Sequence, residues 1–544
     1  MAEKNFAMTP TVSINRSKFL RTSTHKTCIN LGDIVPVYLD EVLPGDTRSI
    51  DLAALVRMST PIAPIMDDIE LEFFAFFVPN RIVWDNWKKF MGENDSAGYV
   101  QVTPVTPKMS VSSIALVPGT IGDYFGLGNY GSIVYNVSAL PFRGYAAIYN
   151  RWFRDQNVAA NLFVSKADGS DNLTGIQPGS FCKKAFKKSD YFTRALPYAQ
   201  KGDPVRLPLG LNAPVKTIPL ADVDTSLLST NPLYWALSAG GVPSVATSST
   251  PQYMVKNTDA SQVSAGSHSG TLNPELFPAN LVADLSKATA ATINQLREAF
   301  QLQKLLEHDA LYGTRYWEIL YGHFSVRSPD ATLQDPEYLG GYRMDINVDQ
   351  VLSTAGYNPN ASTTVGAPGA NSVTGGKGSL FTKSFVEHGF IHIYAVARQK
   401  KHTYSNRLDR MWTREDRYDY YWPEFANLGS QEIKNKEIFV TGTSADDLPF
   451  GYQEYAAEYR YKPSQVTSYM NPLQSSSFNF WTLSDRYTST PTLSSSFLEE
   501  DRTNLIDALV SGSSGPDFIC DFYFQDTAVR PMPMFSIPGL IDHH

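Results

Sequence analysis

The chain has 544 residues, a formal net charge of -8, charged residues at 18% and aromatic residues at 12%. That length exceeds an ordinary domain, and the acidic balance excludes a surface that grips nucleic acid all over, because such domains are strongly basic. Scarce charge with abundant aromatics fits either a large β core or a surface buried against neighbours, where Lys, Glu and Asp are depleted and Tyr, Trp and Phe enriched.

The chain opens with a basic stretch, residues 1–27, in which Lys4, Arg16, Lys18, Arg21 and Lys26 face only Glu3, with Phe6 and Phe19 among them. It reads as an arm able to reach phosphates and stack on bases. Val35, Val37 and Leu39 then alternate as a strand. Ile69-Glu70-Leu71-Glu72-Phe73 does the same, and its period of two predicts Glu70 and Glu72 on an outward, solvated or intersubunit face. Helices are predicted from Arg81 to Met91, stopping at Gly92, and from Phe142 to Asn157 behind Pro141.

A dense basic cluster, Lys183, Lys184, Lys187 and Lys188, surrounds Phe186. From 221 to 287 charge thins and Ser, Thr, Ala, Gly and Pro accumulate, which reads as a large insertion. Thr292-Ile293-Asn294-Gln295 resembles a capping box for a helix running to about His308. The Asn-, Gly-, Thr- and Ser-rich stretch 353–379 reads as a flexible surface loop. Phe390 to Val396 is apolar or aromatic at every position, the pattern of a strand buried on both faces. After it, Arg398, Lys400, Lys401, Arg407, Arg410, Arg414 and Arg417 are interleaved with Tyr404, Trp412, Tyr418 and Tyr420. That mixture suits single-stranded nucleic acid, although Asp409, Glu415, Asp416 and Asp419 are near enough to neutralise the arginines. A last strand alternates Phe518, Cys520, Phe522 and Phe524 with Asp517, Ile519, Asp521 and Tyr523.

These strands lie far apart without regular βαβ alternation, so the fold class is mainly β, an antiparallel jelly-roll sandwich with long loops and a few helices. Eight strands of typical length use only about 45 residues, and long loops on a rigid scaffold suit contacts with neighbouring subunits. Domain organisation is then a basic arm, 1–27, and one domain, 28–544, interrupted by the 221–287 insertion and the 353–379 loop. No apolar run reaches the roughly 18 to 20 residues of a membrane helix, and the N-terminus lacks the apolar core of a signal peptide. Cys28, Cys182 and Cys520 are far apart and cannot all pair, which suits a reducing cytosol.

Chemistry is hard to find. Gly375-Gly376-Lys377-Gly378 puts glycine where a phosphate loop needs a magnesium-binding hydroxyl, and neither His-Glu-x-x-His nor Gly-x-Ser-x-Gly occurs. Near Glu387, His388 and His392 would stand about 13 Å apart along one strand face, too far for one ion. They read better as buried, hydrogen-bonded histidines. The acidic cluster Asp67, Asp68, Glu70 and Glu72, and Glu307 and Asp309 beside His308, read as surface and helix-end groups rather than acid–base pairs. The expectation is therefore no enzyme, no metal and no cofactor.

Several blocks carry a resemblance across nearly the whole chain: Leu43 to Thr47, Phe77 to Arg81, Tyr149 to Asn157, Pro336 to Gly341, Tyr420 to Gly429, Phe450 to Glu454, Asp521 to Phe524 and Arg530 to Met534. In this order they resemble the major capsid proteins of the small single-stranded DNA bacteriophages, Microviridae, in the gokushovirus branch. The resemblance implies an eight-stranded jelly roll that self-assembles into the smallest kind of icosahedral shell around circular single-stranded DNA. It also implies a virion component assembled in the bacterial cytoplasm, other virion or assembly proteins as partners, and threefold protrusions at 221–287 that meet a host receptor. Genome contacts are expected from Arg16, Lys18, Arg21, Lys26, Lys183, Lys184, Lys187, Lys188, Arg398, Lys400 and Lys401. The alternative is a secreted all-β carbohydrate-binding or carbohydrate-active protein, which would need a leader and two carboxylates converging in one cleft.

Overall fold

Eight long strands organise the computed structural model, and their inward side chains follow from the period of two. The structure describes residues 15–93, 104–112, 116–128, 134–171, 175–205, 293–313, 315–326, 334–354, 365–366 and 368–535, with seven short strands between 215 and 283. The long strands are β1 (Ser17–Ile29), β2 (Val35–Val42), β3 (Thr47–Met58), β4 (Ile69–Pro79), β5 (Glu337–Ile346), β6 (Val373–Ser384), β7 (Gly389–Gln399) and β8 (Phe518–Arg530). They form two four-stranded sheets, in the orders β1-β8-β3-β6 and β5-β4-β7-β2, and every pairing within them is antiparallel.

The sheets face each other through the side chains that alternation sends inward. Phe518, Cys520, Phe522 and Phe524 of β8 are all buried, as predicted, and so are Ile50, Leu52, Ala54 and Val56 of β3. Phe522 meets Phe73 of β4 edge-on at 5.3 Å, and Phe524 meets Tyr38 of β2 at 5.0 Å. β7 lies between β4 and β2 with nearly every residue buried, so the two-sided burial predicted for Phe390 to Val396 holds.

What covers the second face of β7 and β4 is a helix. α1 (Leu140–Ile148) has Pro141 in its first turn, as expected, but at Tyr149–Phe153 it widens into a π-helical turn and ends short of Asn157. The wider turn brings Phe153 edge-on to Phe74 at 5.4 Å and Trp152 to 5.8 Å from Phe76. Gly144 allows close approach, since a Cβ there would lie 2.8 Å from His392 Nε2. His392 is buried, accepts or donates to Tyr394 Oη at 3.1 Å, and is pushed down to about 3 by burial alone.

Other elements depart from expectation for local reasons. The helix predicted at 81–91 is two short turns, Asn80–Val83 and Trp87–Phe90. They are separated where Trp84 turns extended to bury its indole and donate to Asp168 at 2.5 Å. α2 (Ile293–Tyr312) continues past His308, and α3 (Tyr316–Phe324) follows.

The stretch 353–379, expected to be a flexible loop, is strand at 368–371 and again from Val373 onward, and 355–364 lies outside the described residues. Its glycines answer a packing need: a Cβ on Gly378 would sit 2.3 Å from the Tyr342 ring of β5, and one on Gly376 2.8 Å from the Tyr342 hydroxyl. A bulge at Leu380 then turns both Leu380 and Phe381 into the core. Residues 17–27 of the expected basic arm are likewise strand, paired with β8 over the whole of β1, and 1–14 lie outside the described residues.

By their internal contacts the described residues fall into two compact units, 1–201 with 307–544, and 202–306. The first contains both large sheets and a second apolar cluster formed by Tyr191, Phe192, Tyr404, Ile433, Ile438, Phe450 and Phe497. The second contains the seven short strands, which pair with one another, such as Glu275–Pro278 with Trp235–Ser238.

Gly378→Ala is expected to cost about 1–3 kcal/mol in denaturant unfolding, because the Tyr342 ring has to move. In a Tyr342→Ala background the same substitution should cost clearly less; equal costs would show that the two positions do not couple.

Candidate functional site: basic clusters and an exposed aromatic surface

Seven of the eleven expected genome contacts are engaged in ion pairs within the subunit. Glu70 and Glu72 of β4 point away from the sandwich core, as alternation predicts, but they are buried rather than solvated. Segment 183–188 and β7 supply the charges that cover them: Lys188 lies 2.8 Å from Glu70, and the Arg398 Nε donates to Glu72 at 2.8 Å. Burial alone would raise the Glu72 carboxyl, but Arg398 and Lys188 hold it below its usual range. Arg398 also donates to the Phe186 carbonyl at 2.9 Å.

Lys187, expected at the genome, belongs to a buried chain of charges instead. It lies 2.6 Å from Asp485 and over the Phe497 ring, and Asp485 in turn approaches His402 Nδ1 at 3.4 Å while Glu500 approaches Nε2 at 3.2 Å. Burial resists charging His402, but Glu500 and Asp485 more than offset it and push the imidazole up to about 9. Lys184 pairs with Asp33 at 2.8 Å, Lys26 with Asp521 at 2.7 Å, Lys400 with Asp345 at 2.8 Å, and Arg21 with Asp40. Arg16, Lys18 and Lys401 are exposed and Lys183 is half-buried, and these four have no ion-pair partner among the described residues.

Sequence reading missed the most buried cation. Arg48 of β3 is fully enclosed, its Nε donating to Asp526 of β8 at 3.0 Å and its Nη2 to Asp40 at 2.6 Å and to Tyr38 Oη at 3.0 Å. The signal was present in parity: Arg48 shares its face with Ile50, Leu52, Ala54 and Val56, and Asp526 shares its face with Phe522 and Phe524. Arg143 of α1 is similar, held by Asp171 at 2.6 Å and by the Val83 and Ala167 carbonyls.

The aromatic-basic segment after β7 lies over the second apolar cluster, in three short 3-10 turns at Arg410–Thr413, Arg417–Asp419 and Pro423–Phe425. Its acids mostly cap turns instead of pairing with the arginines: Asp419 accepts the Glu415 and Asp416 amides at 2.8 and 3.0 Å, whereas Arg414 pairs with Glu458 at 3.0 Å. Among the described residues only Arg407 pairs as expected, with Asp409 at 3.2 Å.

The rings of this segment face solvent together. Trp412 is 72% exposed, and Met411, Tyr418, Tyr420, Tyr421, Trp422, Leu428 and Tyr459 are exposed with it. Arg414 stands between Tyr420 and Tyr459, 5.1 and 5.0 Å from their ring centres, and Tyr421 lies 6.3 Å from Tyr455 and 6.2 Å from Tyr459. A group of large side chains left in water marks a surface for association, and Trp, Tyr, Met and Arg are the residues that association uses.

Among the described residues no group of His, Cys, Asp and Glu is arranged to hold a metal ion, and no helix is long and apolar enough to cross a membrane. A β-sandwich that fastens distant segments with buried charge pairs and leaves a group of rings exposed is the build of a structural subunit that meets other subunits, such as a capsid protein. The comparisons say which kind. Residues 7–540 match the family described as capsid protein (F protein), and the chain belongs to it. It is 38% identical to capsid protein VP1 of Bdellovibrio phage phiMH2K over 99% of this chain and 98% of that one. It is 36% identical to VP1 of Chlamydia phage 1 over the same shares, and 38% identical to VP1 of Spiroplasma virus 4 over 95% and 94%. The resemblance to Microviridae and their gokushovirus branch therefore holds along the chain, and the protein is a structural component of the virion.

The His402 cluster gives stability a pH dependence. The folded protein keeps a proton on His402 that the unfolded chain releases near its ordinary value of 6.5, so this contribution is complete below about 6.5 and lost as pH rises through about 9. His402→Gln should flatten unfolding free energy across that window, by up to ~3 kcal/mol relative to the parent; parallel pH profiles for both proteins would refute the charged-imidazole reading.

Proposed function

We propose that the subunit is a jelly roll whose copies close into a small icosahedral shell around circular single-stranded DNA, assembled in the bacterial cytoplasm. The two sheet orders, with all eight long strands antiparallel, support the jelly roll. The observation that carries assembly is the exposed aromatic surface around Trp412, Tyr421 and Tyr459, which isolated subunits would hold in water at a cost that closed symmetry removes. Many such contacts of modest strength add up to a stable shell.

Genome contact in this reading rests on Arg16, Lys18, Lys183 and Lys401, while the ion-paired lysines and arginines other than the solvent-exposed Lys26 hold the subunit together. Phosphate contacts of this kind are nonspecific and weaken with salt. The subunit acts through assembly rather than catalysis, consistent with a structural family. The range 221–287 is read as an exposed insertion, lying within the contact unit 202–306, and its charge-poor composition suits attachment to a host receptor.

Two outcomes test this. Trp412→Glu should leave unfolding within ~0.5 kcal/mol of the parent yet abolish the fast-sedimenting, nuclease-protected particle formed by the wild type with its natural partner proteins; normal particles would overturn the assigned surface. Deleting 225–285 should leave assembly intact and abolish attachment to host cells; deleted particles that still attach would remove the receptor role.

A further inference from the structure

One sheet of the sandwich is covered on its outer face by α1, Trp152, Phe153 and segment 183–188, and the other is open among the described residues. The register places the open face row by row. Cys28, Ile519, Arg57 and Val373 stand side by side across β1, β8, β3 and β6. The next rows are Lys26, Asp521, Leu55 and Gly375, and then Thr24, Tyr523, Ala53 and Lys377. Beyond them come Thr22, Gln525, Asp51 and Ser379, then Leu20, Thr527, Ser49 and Thr382, then Lys18, Val529, Thr47 and Ser384. At strand spacing this is a plate roughly 15 Å wide and 35 Å long.

Its chemistry differs from that of the aromatic surface. The plate carries four cations, Lys18, Lys26, Arg57 and Lys377, against two carboxylates, Asp51 and Asp521, on a chain whose net charge is -8. Eight Ser and Thr residues share the plate with apolar positions that include the exposed Leu20 and Ile519, and some hydroxyls form cross-strand pairs, such as Ser49 with Thr382 at 2.7 Å and Thr47 with Ser384 at 2.8 Å. Ser and Lys are depleted in protein interfaces, whereas hydroxyls and cations are common partners of phosphate oxygens. Tyr523 is the one aromatic ring on these rows, 41% exposed, and its neighbours Thr24 and Ala53 are too small to cover it. A four-stranded sheet with cations around an open ring is an arrangement that single-stranded nucleic acid uses, stacking bases on the sheet and placing phosphates on its charges.

Resting on the capsid function above, we infer that this open face is the platform on which the encapsidated single strand lies, its phosphates on Lys18, Lys26, Arg57 and Lys377 and a base on Tyr523. The Lys26–Asp521 pair is largely solvated, a kind of pair worth little, so a phosphate displaces it at small cost. Binding is sequence-tolerant, because every contact is to backbone charge or to a base's flat face.

The test uses particles of the full chain formed with its natural partner proteins. Ultraviolet cross-linking followed by peptide mapping should place nucleic acid on Tyr523. Subunits freed from particles should bind an oligo-dT probe with a log–log salt slope that falls by about 1.4 when Arg57 and Lys377 both become Gln, roughly 0.7 per lost cation on a single strand. Arg57→Lys with Lys377→Arg should restore the parent slope. Cross-links confined to other segments, cross-links from Tyr523 to another subunit, or an unchanged slope in the Gln variant would overturn the platform while leaving the capsid function standing. Wild-type chain that forms no particle with its partners would strike the capsid function itself.

Discussion

Most charged side chains that the described residues take out of water bring an opposite charge with them, and that requirement ties the long loops to the sheets. Burying one ion alone costs several kcal/mol, so removing one partner of such a pair is far more damaging than the pair is stabilising. Glu72 and Arg398 are 326 residues apart in sequence, Lys187 and Asp485 298 apart, and Arg48 and Asp526 478 apart. The first pair joins neighbouring strands, and the second fastens segment 183–188 to the region around the smaller apolar cluster. Arg48 with Asp526, Asp40 and Tyr38 links both sheets. A chain with few charges has thus placed many of them where geometry, not solubility, decides their value.

Much of the scaffold could be read in the sequence because a strand reports its own faces. The alternation in β8 and the unbroken apolar run in β7 were enough to assign core and burial correctly. Composition misled wherever the reason for a residue lay on another strand. Gly376 and Gly378 look like loop residues until Tyr342 is seen against them, and Glu70 and Glu72 look solvated until Lys188 and Arg398 arrive from elsewhere. Nothing local marks those partners.

The same limit applies to the basic clusters. Four lysines within 183–188 look like a nucleic-acid patch, yet three of them are held by acids on other segments, Asp33, Asp485 and Glu70. Arg57 and Lys377, which no local pattern singles out, reach one open face only because β3 and β6 are paired in register. The subunit consequently presents two chemically distinct exteriors, one of rings braced by arginines and one of hydroxyls and cations. The first is suited to neighbours of its own kind and the second to a polyanion.

β1 lies at the edge of its sheet, with one side of a 13-residue backbone unpaired by any other strand of that sheet. Such an edge invites a second subunit to pair with it out of turn, which at the concentrations of assembly leads to aggregates rather than shells. The charges along β1 oppose that. An antiparallel self-pairing centred on Thr22 sets Lys18 against Lys26 twice over. The lysines proposed above to meet the encapsidated strand thereby have a second use, keeping unassembled subunits apart.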